Sequence, residues 1–564
     1  PFTISTERME LRFTPRGQGL SAQTLQVRLR ASDRLWRPGD AQTGNLGGTL
    51  STLDGVRGPE PLGEGLLSRD GWYLIDDSHN HIVIDGWVRP RESHPHATDW
   101  YLLIYGDDYR AGLRAFTRLS GPVPLPRRAL LGSWYSRYWP HTSAEFRQIV
   151  ADYESHGLPL DVMVLDMDWH RDGWTGWSWN RDLLPDAEEL LRWMRQRGVA
   201  VTLNLHPADG VGPHEDRYAD FMRALGRDPA SGQTVPFDAG DRAYMTALFE
   251  QVHRPLEQDH GGGVDFWWVD WQQDKFVRSM PNLTNLQWLN RLYFEHTRRA
   301  PSADEPRRRG VSFSRWAGDA AERRWGDHRY PIHFSGDAHT GWAMLRFQVP
   351  FTVTAGNVGC FFWPHDIGGH FGPRIEEATA RWVQFGALSA AVRLHSARVG
   401  VLDRRPWTYE RRFFESMRDA VRLRAAMMPH LYSEVRRSCQ DSVPLLRPMY
   451  LDHGSHERAY RCDGQYLLGE RLLAAPITHA GVGPRCVASQ PVWFPPPRSA
   501  ESAGSWRRWT TGERFADGDE AIVSAAIEGT GFPRAAILRE VRPTSNEFDV
   551  VCVRGPSDGR EPSV

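Results

Sequence analysis

Hydrophobic positions follow three different rhythms along this chain. Over residues 1–120 short runs alternate apolar with polar residues ("MELRFTP", "TLQVRLR", "GWYLIDDS", "HIVIDGWV", "DWYLLIYG"), punctuated by Gly, Asn, Asp and Pro. Alternation at period two with turn residues between predicts half-buried antiparallel strands, and hence an amino-terminal β-sandwich. The proline-spaced "GPVPLPRR" that follows predicts a linker.

Over residues 126–436 the rhythm changes. Near-continuous apolar runs of strand length ("LLGSWYS", "LDVMVLDMDWH", "VAVTLNLHP", "VDFWWVDW", "GVSFSRW", "PIHFSGD", "FTVTAGN", "AVRLHS") are separated mainly by stretches with helical spacing, such as "SAEFRQIVADYESHG" and "NLQWLNRLYFEHTRR". Strands buried on both faces lose their alternation, so these runs predict a parallel sheet covered by helices. Eight of them, with no Gly-rich phosphate fingerprint after the first, predict a (β/α)8 TIM barrel rather than an open doubly wound sheet, and an α/β class overall. Over residues 437–540 the short strands return ("QYLLGERLLAAPI", "PVWFPP", "SWRRWTTGERF", "AAILREV"), which predicts a carboxy-terminal β-sandwich; residues 541–564 read as a tail or a truncated further module.

Composition narrows the chemistry. The formal net charge is −2 and there is no long basic run, which argues against nucleic acid or an acidic membrane as partner. No apolar stretch is long enough for a membrane span. Five scattered cysteines lack metal-ligand spacing, and His170, His206, His333 and His395 lack helical His-x-x-x-His spacing, so no metal and no cofactor is expected. Pro1 in place of an initiator methionine points to a trimmed start; a cytoplasmic protein is expected, with secretion open if a leader was removed. Tryptophan, with 24 residues, is the outlier, and indoles suit the flat apolar faces of sugars.

Barrel enzymes carry their reactive groups where strands end. Asp166 and Asp168 follow the second run, Asp270 the fourth and Asp337 the sixth; Arg315 ends the fifth and His395 the eighth. A single such acid is commonly a helix cap or an ion-pair partner. Several on one rim raise each other's pKa, which structure alone seldom justifies. Two carboxylates among indoles are what glycosidic cleavage uses, one attacking the sugar carbon and one protonating the departing oxygen.

With those residues in view, the chain resembles glycoside hydrolase family 31, the α-glucosidase and α-xylosidase family. "FWWVDWQQ" (266–273) is similar to its nucleophile segment and "HFSGDAHTGW" (333–342) to its acid/base segment, so the resemblance implies Asp270 as nucleophile and Asp337 as general acid/base. "LDVMVLDMDWH" supplies Asp166, "FSRW" Arg315, "WPHDIGGHFG" Asp366 and "RLHS" His395, all implied to hold hydroxyls of the terminal sugar, with Trp268, Trp271, Phe334 and His370 around it. "GLLSRDGWYLIDDS" (65–78) resembles the loop that the family's amino-terminal sandwich sends to the active site. The sequence departs from the family at Trp271–Gln273, Phe334, Ala338 and His370, so the sugar stays open: α-glucoside is the default, with α-galactoside, α-N-acetylgalactosaminide and α-xyloside as alternatives. The implied activity is that of a retaining exo-acting α-glycosidase on a carbohydrate substrate. A transglycosylase and a non-catalytic carbohydrate-binding scaffold are the competing readings, and the oligomeric state stays undetermined.

Overall fold

The computed structural model describes residues 1–15, 19–50, 52–91, 98–257, 263–270, 274–299, 308–315, 326–497, 504–508, 511–527 and 536–541. Its centre is a seven-stranded, all-parallel sheet: β1 (Ser133–Tyr135), β2 (Val162–Leu165), β3 (Ala200–Leu205), β4 (Phe266–Val269), β5 (Phe313–Arg315), β6 (His333–Phe334) and β7 (Val392–Leu394). They pair in the order β6-β5-β4-β3-β2-β1-β7. Most of their residues are buried, which accounts for the missing alternation in the sequence.

Between the edge strands β6 and β7 lies an extended segment. Ile367 bridges to Leu394, its N–H donating to the Arg393 carbonyl at 3.0 Å, while the His370 N–H donates to the Ala338 carbonyl at 2.7 Å. This segment occupies the place expected for a strand at "FTVTAGN". Residues 351–357 instead end the helix Trp342–Thr354 and form the 3-10 turn after it. That helix is buried nearly all round, from Met344 to Val353. It has no polar stripe to betray its period, and its Val, Thr and Phe residues mimic a strand.

Ahead of the barrel, a four-stranded antiparallel sheet (Phe2–Ser5, Met9–Phe13, Leu25–Leu29, Arg34–Trp36) packs through Leu25, Val27, Leu29 and Trp36 onto Trp72 of the strand pair Trp72–Asp76 and Trp100–Ile104. The alternating region does not run to residue 120, because Tyr109–Ser120 is a helix. Its buried Tyr109, Gly112, Leu113 and Phe116 recur at helical spacing, and Asp108 caps it by accepting from the Ala111 N–H. Behind the barrel, the helix Arg411–Asp441 leads to a six-stranded sheet and the strand pair Ala488–Trp493 with Glu520–Ala525.

Candidate active site

Strand geometry determines which side chains meet. Successive residues in a strand face opposite sides, so Trp268 and Asp270, Asn204 and His206, and Arg393 and His395 point the same way. The Asp270 N–H donates to the Leu205 carbonyl at 3.1 Å, which keeps the acid in register with the end of β3. Arg315 is the last residue of β5, and Asp337 follows the Ser335–Gly336 turn that leaves β6.

The guanidinium of Arg315 is the centre of the site. Its Nε donates to Asp270 Oδ1 at 2.7 Å and its Nη2 to Asp337 Oδ2 at 3.1 Å. Nη1 donates to Asp54 Oδ1, which also accepts the Asp337 N–H at 2.7 Å. The segment around Asp54 is stitched to the barrel by backbone bonds: Leu53 N–H to the Ser335 carbonyl at 2.7 Å, Gly55 N–H to the Asp337 carbonyl at 3.0 Å, and His339 N–H to the Val56 carbonyl at 2.9 Å. Only a glycine fits at Gly336. It has φ +101°, and a Cβ there would sit 2.4 Å from Thr52 Oγ1 and 2.6 Å from Asp54 Oδ1.

The far oxygen of Asp270 accepts from Asn204 Nδ2 at 3.1 Å and lies 3.5 Å from His206 Nε2. Asn204 Nδ2 also donates to Asp166 Oδ1 at 2.7 Å, linking the acid after β2 to the acid after β4. On the other flank, Arg393 donates to Asp366 Oδ1, and His370 Nδ1 lies 3.4 Å from Asp366 Oδ2 and 3.7 Å from Asp337 Oδ1. His395 shares a 2.6 Å hydrogen bond with Ser136.

These surroundings drive the two strand-end acids apart. Burial pushes the Asp270 carboxyl up, but the Arg315 guanidinium and His206 outweigh it and hold the group well below the usual carboxylate range. Burial pushes the Asp337 carboxyl up to about 6 against the pull of Arg315 and His370, with the charges of Asp270 and Asp366 adding to the rise. Burial works to lower His370, yet Asp366 and Asp337 hold its imidazole above the ordinary range. His395 goes the other way, because burial and then Arg393 disfavour its charged form.

Of the residues expected at the site, Asp166, Asp270, Arg315, Asp337, Asp366, His370 and His395 converge. Trp268 and Phe334 form the layer beneath them: both are buried, their rings 5.3 Å apart, with the Arg393 guanidinium 4.4 Å from the Trp268 ring centre. Trp271 lies outside the described residues. Asp168 sits further out and pairs with Arg398 at 3.3 Å. His333 begins β6 level with Ser314 and Val269, but alternation turns its side chain to the other face from Phe334, with Nε2 3.8 Å from Asp327 Oδ2.

One expectation needs correcting. Residues 65–78 do not make the contact from the amino-terminal region; the segment around Asp54 does, while Trp72–Asp76 is a strand paired with Trp100–Ile104. Sequence reasoning also passed over Asn204, Arg393 and Ser136, and it weighed His206 only as a metal ligand. The period-two partners of His206 and His395 were the available signal for Asn204 and Arg393. Among the described residues, Asp366, His370 and His395 bring ligand atoms within 4.8 Å of one another, as a bound ion would require. Arg393 on Asp366 places a fixed positive charge in that same group.

The fold that carries these residues has known counterparts. Residues 123–434 match the model of the glycosyl hydrolases family 31 TIM-barrel domain, and residues 442–535 that of the glycosyl hydrolase family 31 C-terminal domain. The chain belongs to glycoside hydrolase family 31. Within family 31 it is 24% identical to alpha-glucosidase 2 of Bacillus thermoamyloliquefaciens, over 77% of this chain and 55% of that protein. It is 22% identical to an alpha-xylosidase of Saccharolobus solfataricus, over 76% and 57% respectively. The chain thus spans about half the length of these curated relatives. Among solved structures, it superposes on a family 31 dextranase of Flavobacterium johnsoniae, a mutant bound to isomaltotriose, with a TM-score of 0.73 at 17% identity, covering 95% of this chain and 72% of that one.

Proposed function

We propose that this family 31 chain is a retaining exo-acting α-glycosidase that releases a terminal α-linked sugar, α-glucoside being the first substrate to test. One observation carries the reading: a single guanidinium bridges two carboxyl groups whose environments hold one ionised and push the other up to about 6. Asp270 attacks the anomeric carbon while Asp337 gives its proton to the departing oxygen. The glycosyl–Asp270 ester forms as the old C–O bond breaks, and Asp337, now a base, takes a proton from the water that hydrolyses the ester. Asp166, Asp366 and His395 grip hydroxyls of the terminal sugar, with Trp268 and Phe334 as the apolar support below. The sheets before and after the barrel are read as the flanking sandwiches. The relatives named alpha-glucosidase and alpha-xylosidase support the substrate class and leave the sugar itself to experiment.

A panel of aryl α-glycosides (glucoside, xyloside, galactoside, N-acetylgalactosaminide), with the first-formed product anomer read by proton NMR, tests the proposal. The α-anomer should appear first on the best substrate. The β-anomer first, or no turnover of any member, would overturn it.

A further inference from the structure

We propose that a cavity away from the acid rim is a binding site for a small organic oxyanion, a carboxylate or phosphate monoester carried on an apolar body. The cavity measures about 310 Å3 and lies between the strands Trp72–Asp76 and Trp100–Ile104, the end of the helix Tyr109–Ser120, the helix Asn285–Arg298 and the turn Asp327–Tyr330. That turn precedes β6, so the cavity is at the opposite end of the strand from Asp337.

Two half-buried arginines, Arg291 and Arg329, line it, and neither has an acidic partner among the described residues. Arg291 Nη1 reaches only the Tyr330 hydroxyl at 3.5 Å, and its guanidinium stands 5.8 Å from the Trp288 ring centre. Arg329 is held by backbone rather than by charge: its Nε donates to the Gly326 carbonyl at 3.0 Å. Room for its stem is built in at Gly121, φ +100°, where a Cβ would sit 2.7 Å from Arg329 Cδ.

The acids in the same wall are already engaged. Asp77 pairs with Arg91 at 2.7 Å and accepts from Asn80 at 2.6 Å, and Asp327 accepts twice from Asn290, at 2.9 and 3.0 Å. Both guanidiniums line the cavity and neither makes an ion pair with a carboxylate among the described residues; a bound anion would pair with them, and planar guanidiniums suit its oxygens in pairs. Gln287 adds a polar group, while Ile75, Val88 and Phe116 supply an apolar wall for the rest of the ligand.

The test is isothermal titration of the intact chain with phenyl phosphate, benzoate, inorganic phosphate and neutral benzyl alcohol, in glucose to keep the acid rim occupied. Phenyl phosphate or benzoate should bind, with the stronger of the two identifying the oxyanion, and benzyl alcohol should not. The pair Arg291→Gln and Arg329→Gln should weaken that binding by at least about tenfold while aryl-glycoside turnover stays unchanged. If the double variant fails to fold, Arg329→Gln alone should weaken it in the same direction. No binding of either organic anion, equal binding of benzyl alcohol, or undiminished binding by the variants would overturn the proposal.

Discussion

Asp270 and Asp337 sit on the same arginine, yet their niches differ in a way that assigns their roles. The Asp270 niche belongs wholly to the barrel: Arg315 from β5, Asn204 within β3 and His206 just past it converge on both oxygens of a buried side chain that is 8% exposed. The Asp337 niche straddles the barrel and the amino-terminal region. Asp54 takes the backbone N–H of Asp337, Arg315 reaches one of its oxygens, and the other faces His370 beyond hydrogen-bond distance. Burial pushes both acids up, but only Asp270 has enough donors to reverse the direction. Full satisfaction makes a stable anion; partial satisfaction keeps a proton available for donation up to about pH 6.

Substitutions can break this contrast. Removing the anion has the largest expected effect: Asp270→Ala should abolish turnover of every substrate, by at least about 10^4-fold, because the two-step route loses its covalent intermediate. Asp337→Ala should cost about 10^2- to 10^4-fold on substrates with poor leaving groups and far less on activated aryl glycosides. Equal losses on both substrate classes would contradict the division of labour. Steady-state kinetics on a leaving-group series reads both variants.

Two smaller changes sharpen it. Asp54→Asn weakens the hold on both Arg315 and the Asp337 backbone, and should lower kcat/KM by roughly 10- to 100-fold through misplacement of the acid. Its effect should grow with leaving-group pKa, as for Asp337, whereas a merely structural role would lower all substrates alike. His370→Phe should chiefly move a pH limb. Activity needs Asp337 protonated, so it is present below the Asp337 pKa and lost as pH rises through about 6. His370 lowers that pKa, so removing its positive charge should shift the alkaline limb of kcat/KM upward. A downward shift would place His370 in a different role.

The contrast also marks what the sequence could reveal. Asp166, Asp270, Arg315 and Asp337 stand at the ends of apolar runs, and strand position alone brings such residues to one rim. Asp54 meets Asp337 across 283 positions of chain, from a Gly-rich stretch with no strand pattern of its own. No local rule links the two. Arg393 was hidden because it is a fully buried cation inside an apolar strand, paired with Asp366 and lying against Trp268. The helix Trp342–Thr354 imitated a strand because burial on all sides erased its period, while the helix Tyr109–Ser120 kept its period but followed a run of strands.

The central claim is that Asp270 carries the sugar between the two half-reactions. Incubation with a fluorinated α-glycosyl fluoride, which slows hydrolysis of the ester, followed by proteolysis and mass mapping, tests it directly. A single added glycosyl group on Asp270, lost on dilution into a good acceptor, is the expected result. An adduct on Asp337, or full turnover with no adduct on any residue, would contradict the account.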